Sequence, residues 1–281
     1  MRTRLLLAVC FAVTALLAQP EKTSWDVLKQ GLAEKNPEKR RQAVTAIGSI
    51  GLSTEAIHEV EGMLKDPDQL VRQTAAATLG QMKAKAAIPA LKTALDDDSA
   101  EVAFAAAKAL WEMGDKSGRD LIEDVLTGQQ KASQGGMSGA MRDAKRKMHD
   151  PKALAMMGFK EASGALLGPF NIGVVAAEQA FKDGGGGPRA LSATMLAQEC
   201  DAQTIRLLGY SATSDKNWAV RAASSKALGV CGNQDAIPKL EQNLADSHEA
   251  VKFMSAAAII RLSGKIRASS LSSSGSVSGL E

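Results

Sequence analysis

The chain repeats one sequence pattern at a fixed spacing, and this repetition constrains the fold more than any other feature. Residues 66–95 align without a gap with residues 215–244, at an offset of 149 positions. A shorter offset of 31 positions relates neighbouring segments, as from Asp66 to Asp97. A fixed period of this size is typical of stacked structural repeats. The matched positions include Asp66 with Asp215, Val71 with Val220, Arg72 with Arg221, Leu79 with Leu228, and Pro89 with Pro238.

Each repeat is predicted to form a pair of helices. The first helix has apolar residues at helical spacing, for example Val71, Ala75 and Leu79. The second helix begins at an Ile-Pro pair, because a proline in the first turn has no amide to leave unpaired. An aspartate precedes each first helix, where an N-cap carboxylate accepts the first free amides. The predicted N-caps are Asp66, Asp97, Asp215 and Asp246.

The repeated pattern resembles the short HEAT-like repeats of the phycobilin lyases. It reads Asp, Val-Arg, Ala-Ala, Leu-Gly, Ala-Ile-Pro and two leucines, and it covers about 180 of the 281 residues. The resemblance implies an all-α fold, an α-solenoid of about five helical hairpins with a helical insertion. It also implies a concave face lined by the second helices. It implies no activity, because relatives include scaffolds, chromophore lyases, a metal oxygenase and DNA-repair enzymes.

The repeats divide the chain into five predicted regions. A leader precedes a capping helix with three repeats, and a non-repeat insertion separates these from two further repeats with a final helix. The last region is rich in serine and lacks apolar periodicity, so we expect it to be disordered. The predicted boundaries are 1–18 for the leader, 19–127 for repeats 1–3, 128–186 for the insertion, 187–263 for repeats 4–5 and 264–281 for the tail.

The first residues have the three-part layout of a secretory leader. Arg2 and Arg4 precede an apolar run that ends at Ala18, and this run is short for a membrane span. We expect cleavage near Ala18 and an exported protein of bacterial type, periplasmic or secreted. An uncleaved anchor is the alternative. Export would place Cys200 and Cys231 in an oxidising compartment. The sequence is compatible there with either a disulfide or two buried free thiols. The 8–10 Å spacing of packed helices favours the thiols.

Composition and charge exclude some kinds of partner. The formal net charge is +3, and removal of the leader arginines would bring it to about +1. Nucleic-acid binding depends on neutralising phosphates with clustered basic residues, so we expect no nucleic-acid partner. Aromatic residues make up 4% of the chain, and the core therefore depends on Ala, Leu, Ile and Val.

The insertion allows three interpretations. It combines a basic segment, with Arg142, Lys145 and Arg146 on one side, and an apolar segment rich in glycine. The segment can continue the solenoid as core, form a mobile element that covers the groove or docks a partner, or associate with a membrane surface through residues 137–181. In the repeat before it, Ala103 replaces the arginine and Trp111 replaces the glycine, and we expect Trp111 to pack against the insertion.

The search for catalytic chemistry finds little. The His58-Glu59 and His248-Glu249 pairs are too few for the di-iron site of the oxygenase relatives and lie in different registers of the repeat. We therefore predict no metal, no cofactor and no enzymatic activity. A lyase-like or metal-dependent enzyme is the alternative class. Arg72, Arg189 and Arg221 are expected to pair with acids of the neighbouring repeat or with carbonyl groups, as structural contacts.

The sequence favours a scaffold that binds a protein partner. In repeat proteins of this class, exposed charges on the second helices are the expected contact groups. Each is also compatible with an ordinary solvated surface. The candidate contact residues are Glu59, Glu61, Lys92, Thr93, Glu123, Lys239 and Glu241.

Overall fold

The computed structural model describes residues 20–122 and 186–274, and every regular element in these ranges is a helix. The chain divides into two compact units. One contains the described residues 34–122, and the other contains residues 20–33 and 186–274. Helix α1, residues 20–32, falls in the unit of the later repeats, and its predicted role as a cap of repeats 1–3 stays a prediction. The predicted leader, insertion and end of the tail lie outside the described residues.

The first unit contains the three predicted repeats. Each begins with a long helix and a short turn, and in repeats 1 and 2 the second helix is shorter and ends in a 3₁₀ turn. The second helix of repeat 3 begins at residue 119. The helices are α2 (Pro37–Gly48), α3 (Thr54–Gly62), α4 (Gln69–Gln81), α5 (Ile88–Thr93) and α6 (Ala100–Glu112).

The second unit contains the two later repeats and the final helix. The helices are α7 (Gly186–Leu196), α8 (Ala202–Ser214), α9 (Trp218–Cys231), α10 (Ile237–Gln242) and α11 (Glu249–Ser274). Helix α11 continues eleven residues past the predicted start of disorder at residue 264. Lys265, Arg267 and Ala268 have high helix propensity, and a helix already formed propagates at little cost.

Successive first helices pack closely within each unit because small residues meet between them. A methyl group added at Gly80 would lie 2.8 Å from the Cβ of Ala109, and one at Gly229 would lie 2.8 Å from the Cβ of Ala258. Fully buried leucines such as Leu79 and Leu228 fill the space between first and second helices. A core of Ala, Val and Leu is therefore sufficient for this fold.

Arginine–aspartate pairs connect successive repeats, as predicted. The guanidinium of Arg72 donates from Nε and Nη2 to both carboxylate oxygens of Asp97, at 2.8 Å each. Arg221 makes the same bidentate contact with Asp246. Each arginine also donates from Nη1 to a main-chain carbonyl at the start of its own repeat. Arg40 forms a further pair with Asp66, which the sequence analysis missed.

The paired aspartates are not the N-caps, and that prediction was wrong. Asp97 accepts a hydrogen bond from the backbone N–H of Ser99, and Ser99 caps α6. From its place two residues before the cap, the aspartate can accept hydrogen bonds both from the backbone of the turn and from the arginine. Burial would raise the pKa of Asp97, but hydrogen bonds from Arg72 and Ser99 outweigh it and lower the pKa. The observed caps include Asp68, Ser99 and Asn217.

One turn position has a left-handed backbone in all five repeats. It follows the first helix, and it is a glycine in three repeats, Lys83 in repeat 2 and Cys200 in repeat 4. Lys83 has a φ of 53° and Cys200 a φ of 50°. The three glycines are Gly51, Gly114 and Gly232. The backbone conformation is thus a property of the repeat, whichever side chain occupies the position.

Cys200 and Cys231 form a disulfide, with their Cα atoms 5.2 Å apart. The sequence analysis favoured free thiols because it placed both residues on packed helices. Cys200 lies in the turn after α7, and Cys231 ends α9. A turn can approach a helix end more closely than two helix axes can approach each other. The bond therefore joins the turn after α7 in repeat 4 to the end of α9 in repeat 5.

The second unit contains a buried hydrogen-bond network. The amide of Asn243 donates to the carbonyl of Ala212 at 3.0 Å and to the hydroxyl of Ser225 at 3.1 Å. The hydroxyl of Ser255 donates to Ser225 at 3.0 Å. Ser225 in turn donates to the carbonyl of Arg221. The network thus connects the second unit's helices through polar groups that have partners.

Removing one arginine of a buried pair should destabilise the protein strongly. The side chains of Arg72 and Asp97 are 12% and 10% exposed, so Arg72→Gln leaves a buried carboxylate without its charge partner and should cost about 3 kcal/mol. Arg189→Gln is the matched control, because Arg189 is 53% exposed in its pair with Asp215 and should cost under about 1 kcal/mol. Urea unfolding measures both, and equal losses would contradict the difference.

The same pair predicts a dependence of stability on acid. Because the folded-state pKa of Asp97 lies below its ordinary value of 3.8, the contribution is present above about pH 4 and disappears as the pH falls through the folded-state pKa. Urea unfolding of the wild type and Arg72→Gln, repeated from about pH 7 down to about pH 2, measures this dependence. The difference between the two proteins should shrink in acid, and a constant difference would contradict the assignment.

The left-handed turn predicts opposite effects of two substitutions. Lys83→Gly relieves the unfavourable backbone conformation and should stabilise the protein by about 1 kcal/mol. Gly114→Ala introduces the same conformational cost without a clash, since a methyl group there meets no atom within 4 Å, and should destabilise by a similar amount. Thermal unfolding compares the two variants with the wild type. A destabilised Lys83→Gly variant would show that Lys83 makes compensating contacts.

The disulfide predicts that both cysteines resist alkylation until a reductant is added. Their double replacement by serine should lower the free energy of unfolding by about 3 kcal/mol, since the bond closes a loop with a sequence separation of 31. Mass spectrometry after iodoacetamide treatment, with and without reductant, measures the bond. Full labelling of unreduced protein purified from an oxidising compartment would contradict it.

Candidate functional site

Four of the predicted contact residues lie in the first unit, and two of these are used locally. Glu59 and Glu61 are half-buried on α3, and Lys92 and Thr93 are exposed on α5. The ammonium of Lys92 pairs with Asp115 at 3.0 Å. The hydroxyl of Thr93 donates to the carbonyl of Pro89. Lys92 and Thr93 therefore take part in contacts within their own unit.

The other predicted residues lie in the second unit or outside the described residues. Lys239 and Glu241 are exposed on α10 in the second unit. Glu123 and the basic insertion residues Arg142, Lys145 and Arg146 lie outside the described residues. The predicted residues of each unit are therefore considered separately.

The feature that the sequence analysis missed is a pair of exposed apolar side chains on α8. Leu207 is 51% exposed and Tyr210 is 70% exposed. At the position of Leu207, repeats 1, 2 and 5 have Glu59, Ala90 and Lys239. At the position of Tyr210, the same repeats have Gly62, Thr93 and Gln242. Repeat 3 has Leu121 at the position of Leu207 and Asp124 at the position of Tyr210. Alignment of the second helices would therefore have shown Tyr210 as the departure, because that position is small or polar in the other four repeats.

Lys239 lies against α8 at Gly209, the residue before Tyr210, because the glycine leaves room for it. A methyl group added at Gly209 would lie 2.9 Å from the Nζ of Lys239 and 3.3 Å from its Cδ. Repeats 1, 2 and 5 have Glu61, Lys92 and Glu241 at the position of Gly209. The glycine thus lets the lysine stem lie across α8. Its ammonium then lies at Gly209, the residue before Tyr210 in the chain.

Two positive charges border the apolar pair. Arg206 is exposed and lies one turn before Tyr210 on α8, and Lys239 approaches at Gly209. Among the described residues, neither forms an ion pair with a carboxylate. The nearby Asp201 is the N-cap of α8, and hydrogen bonds from Thr204 lower its pKa, with a smaller contribution from Arg206. We call Arg206, Leu207, Tyr210 and Lys239 the α8 surface.

The first unit has a shallow depression between α4 and α6. It has a volume of about 50 Å³, and Gln73, Phe104 and Lys108 are among its lining residues. Lys108 pairs with Glu112 at 2.9 Å, and Glu101 is a second acidic residue of the lining. Next to it, Trp111 is exposed with the ammonium of Lys116 3.3 Å from its ring centroid. Packing of Trp111 against the insertion remains a prediction, because residues 123–185 lie outside the described part.

The two His-Glu pairs occupy unrelated places. His58 is exposed on α3, whereas His248 stacks on Trp218 with ring centroids 5.6 Å apart. Within residues 20–122 and 186–274, no three His, Cys, Asp or Glu side chains converge as metal ligands. Across the same ranges, no helix is both long enough and apolar enough to span a membrane.

The repeat geometry and the sequence comparisons agree on the class of protein. A model of HEAT repeats matches residues 25–111, 58–132 and 177–260. The chain belongs to the HEAT-repeat family, and the predicted all-α solenoid class is confirmed. The finer resemblance to phycobilin-lyase repeats is not tested by this match. A search among curated proteins finds no match.

Comparison with solved structures gives a distant similarity. Human deoxyhypusine hydroxylase in complex with glycerol is 20% identical, and the alignment covers 88% of this chain and 98% of that one, with a TM-score of 0.32. At this level the similarity carries no argument about activity.

Proposed function

We propose that this chain is an exported HEAT-repeat binding module without catalytic activity of its own, and that a protein partner docks on the α8 surface. Leu207 and Tyr210 are the single observation that carries this proposal. Large apolar side chains exposed on a helix face, at positions where repeats 1, 2 and 5 are small or polar, are typical of interaction sites. Tyrosine in particular contributes large contact area and a hydroxyl at protein interfaces.

The charges of the α8 surface define the chemistry of the partner. Arg206 lies on α8 and Lys239 lies against it at Gly209, and neither has a carboxylate partner among the described residues. A complementary segment therefore presents an apolar side chain flanked by aspartate or glutamate. Such complementarity mainly accelerates association and selects partners, while the buried tyrosine and leucine contribute most of the affinity.

The disulfide supports the exported location. Disulfides persist in oxidising compartments and are rare in the cytosol. The Cys200–Cys231 bond therefore agrees with the leader-like residues before Ala18. Periplasmic or secreted location follows from the same reasoning and forms part of the proposal.

Site-specific photocrosslinking tests the docking surface in the native compartment. A photoreactive phenylalanine analogue at position 210 should crosslink to one dominant partner. The same analogue at Leu52, which is 67% exposed in the first unit, should not. Leu207→Ser should abolish the crosslink from position 210, and Lys239→Glu should reduce it, because it reverses the charge that an acidic partner needs.

Two controls separate binding from folding. The Tm of Leu207→Ser should stay within about 2 °C of the wild type, since its side chain is half exposed, and Leu52→Ser should leave the crosslink unchanged. Equal crosslinking from positions 52 and 210, or a crosslink from position 210 that survives Leu207→Ser, would refute the α8 surface as the docking site.

A further inference from the structure

The Cys200–Cys231 disulfide lies where both helices of the α8 surface begin. Cys200 directly precedes Asp201, the N-cap of α8, and Leu207 follows in the second turn of that helix. Cys231 ends α9, and the turn after it leads into α10, which carries Lys239. The bond therefore connects the two segments that determine where α8 and α10 start.

The start of α8 depends on a backbone conformation that cysteine does not favour. Cys200 has a φ of 50°, in the left-handed region that is unfavourable for any residue with a Cβ. Directly after it, the carboxylate of Asp201 accepts a hydrogen bond from the backbone N–H of Thr204 at 2.6 Å. The carbonyl of Asp201 accepts one from the N–H of Ile205 at 2.9 Å. A change in the backbone of Cys200 therefore displaces the cap and the first turn of α8.

The other end of α8 is held without the disulfide. Ala212 is fully buried, and its carbonyl accepts a hydrogen bond from the amide of Asn243 at 3.0 Å. Asn243 is itself buried and also donates to the hydroxyl of Ser225. Loss of the disulfide therefore frees the first turns of α8, whereas its last turn stays attached to the unit.

A thiol reductant can reach the bond, because both cysteines are partly accessible to solvent. Strained or accessible disulfides are the labile ones. One thiolate of a dithiol attacks a sulfur of the bond, the S–S bond breaks, and the displaced sulfur leaves as a thiolate that takes up a proton. The second thiolate of the reductant then resolves the mixed disulfide. Two electrons and two protons pass to Cys200 and Cys231, and the dithiol becomes a disulfide.

We propose that the Cys200–Cys231 disulfide is a redox switch of the α8 surface. In the oxidised form the bond holds the left-handed turn, so that Leu207 and Tyr210 are presented on an ordered helix and less order is lost on binding. After reduction by a dithiol, Cys200 leaves the left-handed region and the first turns of α8 lose their fixed position. The effect on α8 stands on its own, whereas the effect on partner binding rests on the proposed function.

Amide hydrogen exchange tests the switch without a partner. The full chain is compared in the oxidised form and in dithiothreitol. The amides of residues 204–208 should exchange about tenfold faster after reduction, the factor that corresponds to the cost of a left-handed backbone at a residue with a Cβ. Residues 75–80 of α4 are the control, because the first unit contains no cysteine. No acceleration at residues 204–208, or equal acceleration along α8 and α9, would overturn the switch.

Two double variants separate the turn from the loss of the covalent bond. Cys200→Ser/Cys231→Ser keeps a residue with a Cβ at the turn, so it should exchange like the reduced protein. Cys200→Gly/Cys231→Ser places there the residue that repeats 1, 3 and 5 have, and glycine adopts the left-handed conformation freely. The start of α8 should therefore stay as protected as in the oxidised wild type. Equal exchange in the two variants would show that the turn is not the switch.

Photocrosslinking from position 210 measures the consequence for binding. The two variants replace dithiothreitol here, because the reductant would also act on the partner. The serine variant should lose most of the crosslink, about tenfold, whereas the glycine variant should keep it. Equal crosslinking in the wild type and the serine variant would overturn the switch and leave the docking surface intact. If the docking surface is wrong, the oxidised wild type gives no crosslink, and the exchange rates decide the switch by themselves.

Discussion

The bidentate contact between an arginine of one repeat and an aspartate of the next is the interaction on which the rest of the structure depends. The carboxylate of Asp97 accepts hydrogen bonds from Nε and Nη2 of Arg72 and from the backbone N–H of Ser99. The same arginine donates to the carbonyl of Asp66. One pair of side chains therefore fixes the spacing of two repeats and the start of each first helix. Hydrogen bonds to charged groups in this number satisfy the desolvation that burial requires.

The contact also explains where the regular repeat ends. In repeat 3, Ala103 occupies the arginine position, and Gly128 occupies the position of the next aspartate at the offset of 31. Both partners are lost together, which avoids an unpaired buried charge. The interruption of the sequence after repeat 3 thus coincides with the loss of the contact that specifies the next repeat. The arginine–aspartate contacts between successive repeats resume with Arg189 and Asp215.

Much of the fold could be predicted because the repeat shows its periodic residues several times. The positions of Val71, Leu79 and Ile88-Pro89 predicted the bounds of the helices and of the turns between them to within a few residues. The N-cap prediction was wrong at Asp66 and Asp97. An aspartate that caps a helix and an aspartate that lies two residues before the cap and binds an arginine have the same sequence surroundings. The prediction of free thiols was wrong because it used the distance between packed helices for Cys200, which lies in a left-handed turn. The exposed pair Leu207 and Tyr210 was missed because charged residues were taken as the contact groups.

The departures in repeat 4 are best understood together. Gly209 stands where repeats 1, 2 and 5 have a charged residue, Tyr210 where they are small or polar, and Cys200 where three repeats have glycine. Each change alone would weaken a regular repeat, since a glycine lowers helix stability and a left-handed cysteine is strained. The disulfide to Cys231 fixes the strained turn, and the glycine lets Lys239 lie against α8 at the residue before the exposed tyrosine. Repeat 4 is therefore locally reinforced where its surface is least like a repeat, which is the expected arrangement when a binding surface is added to a uniform scaffold.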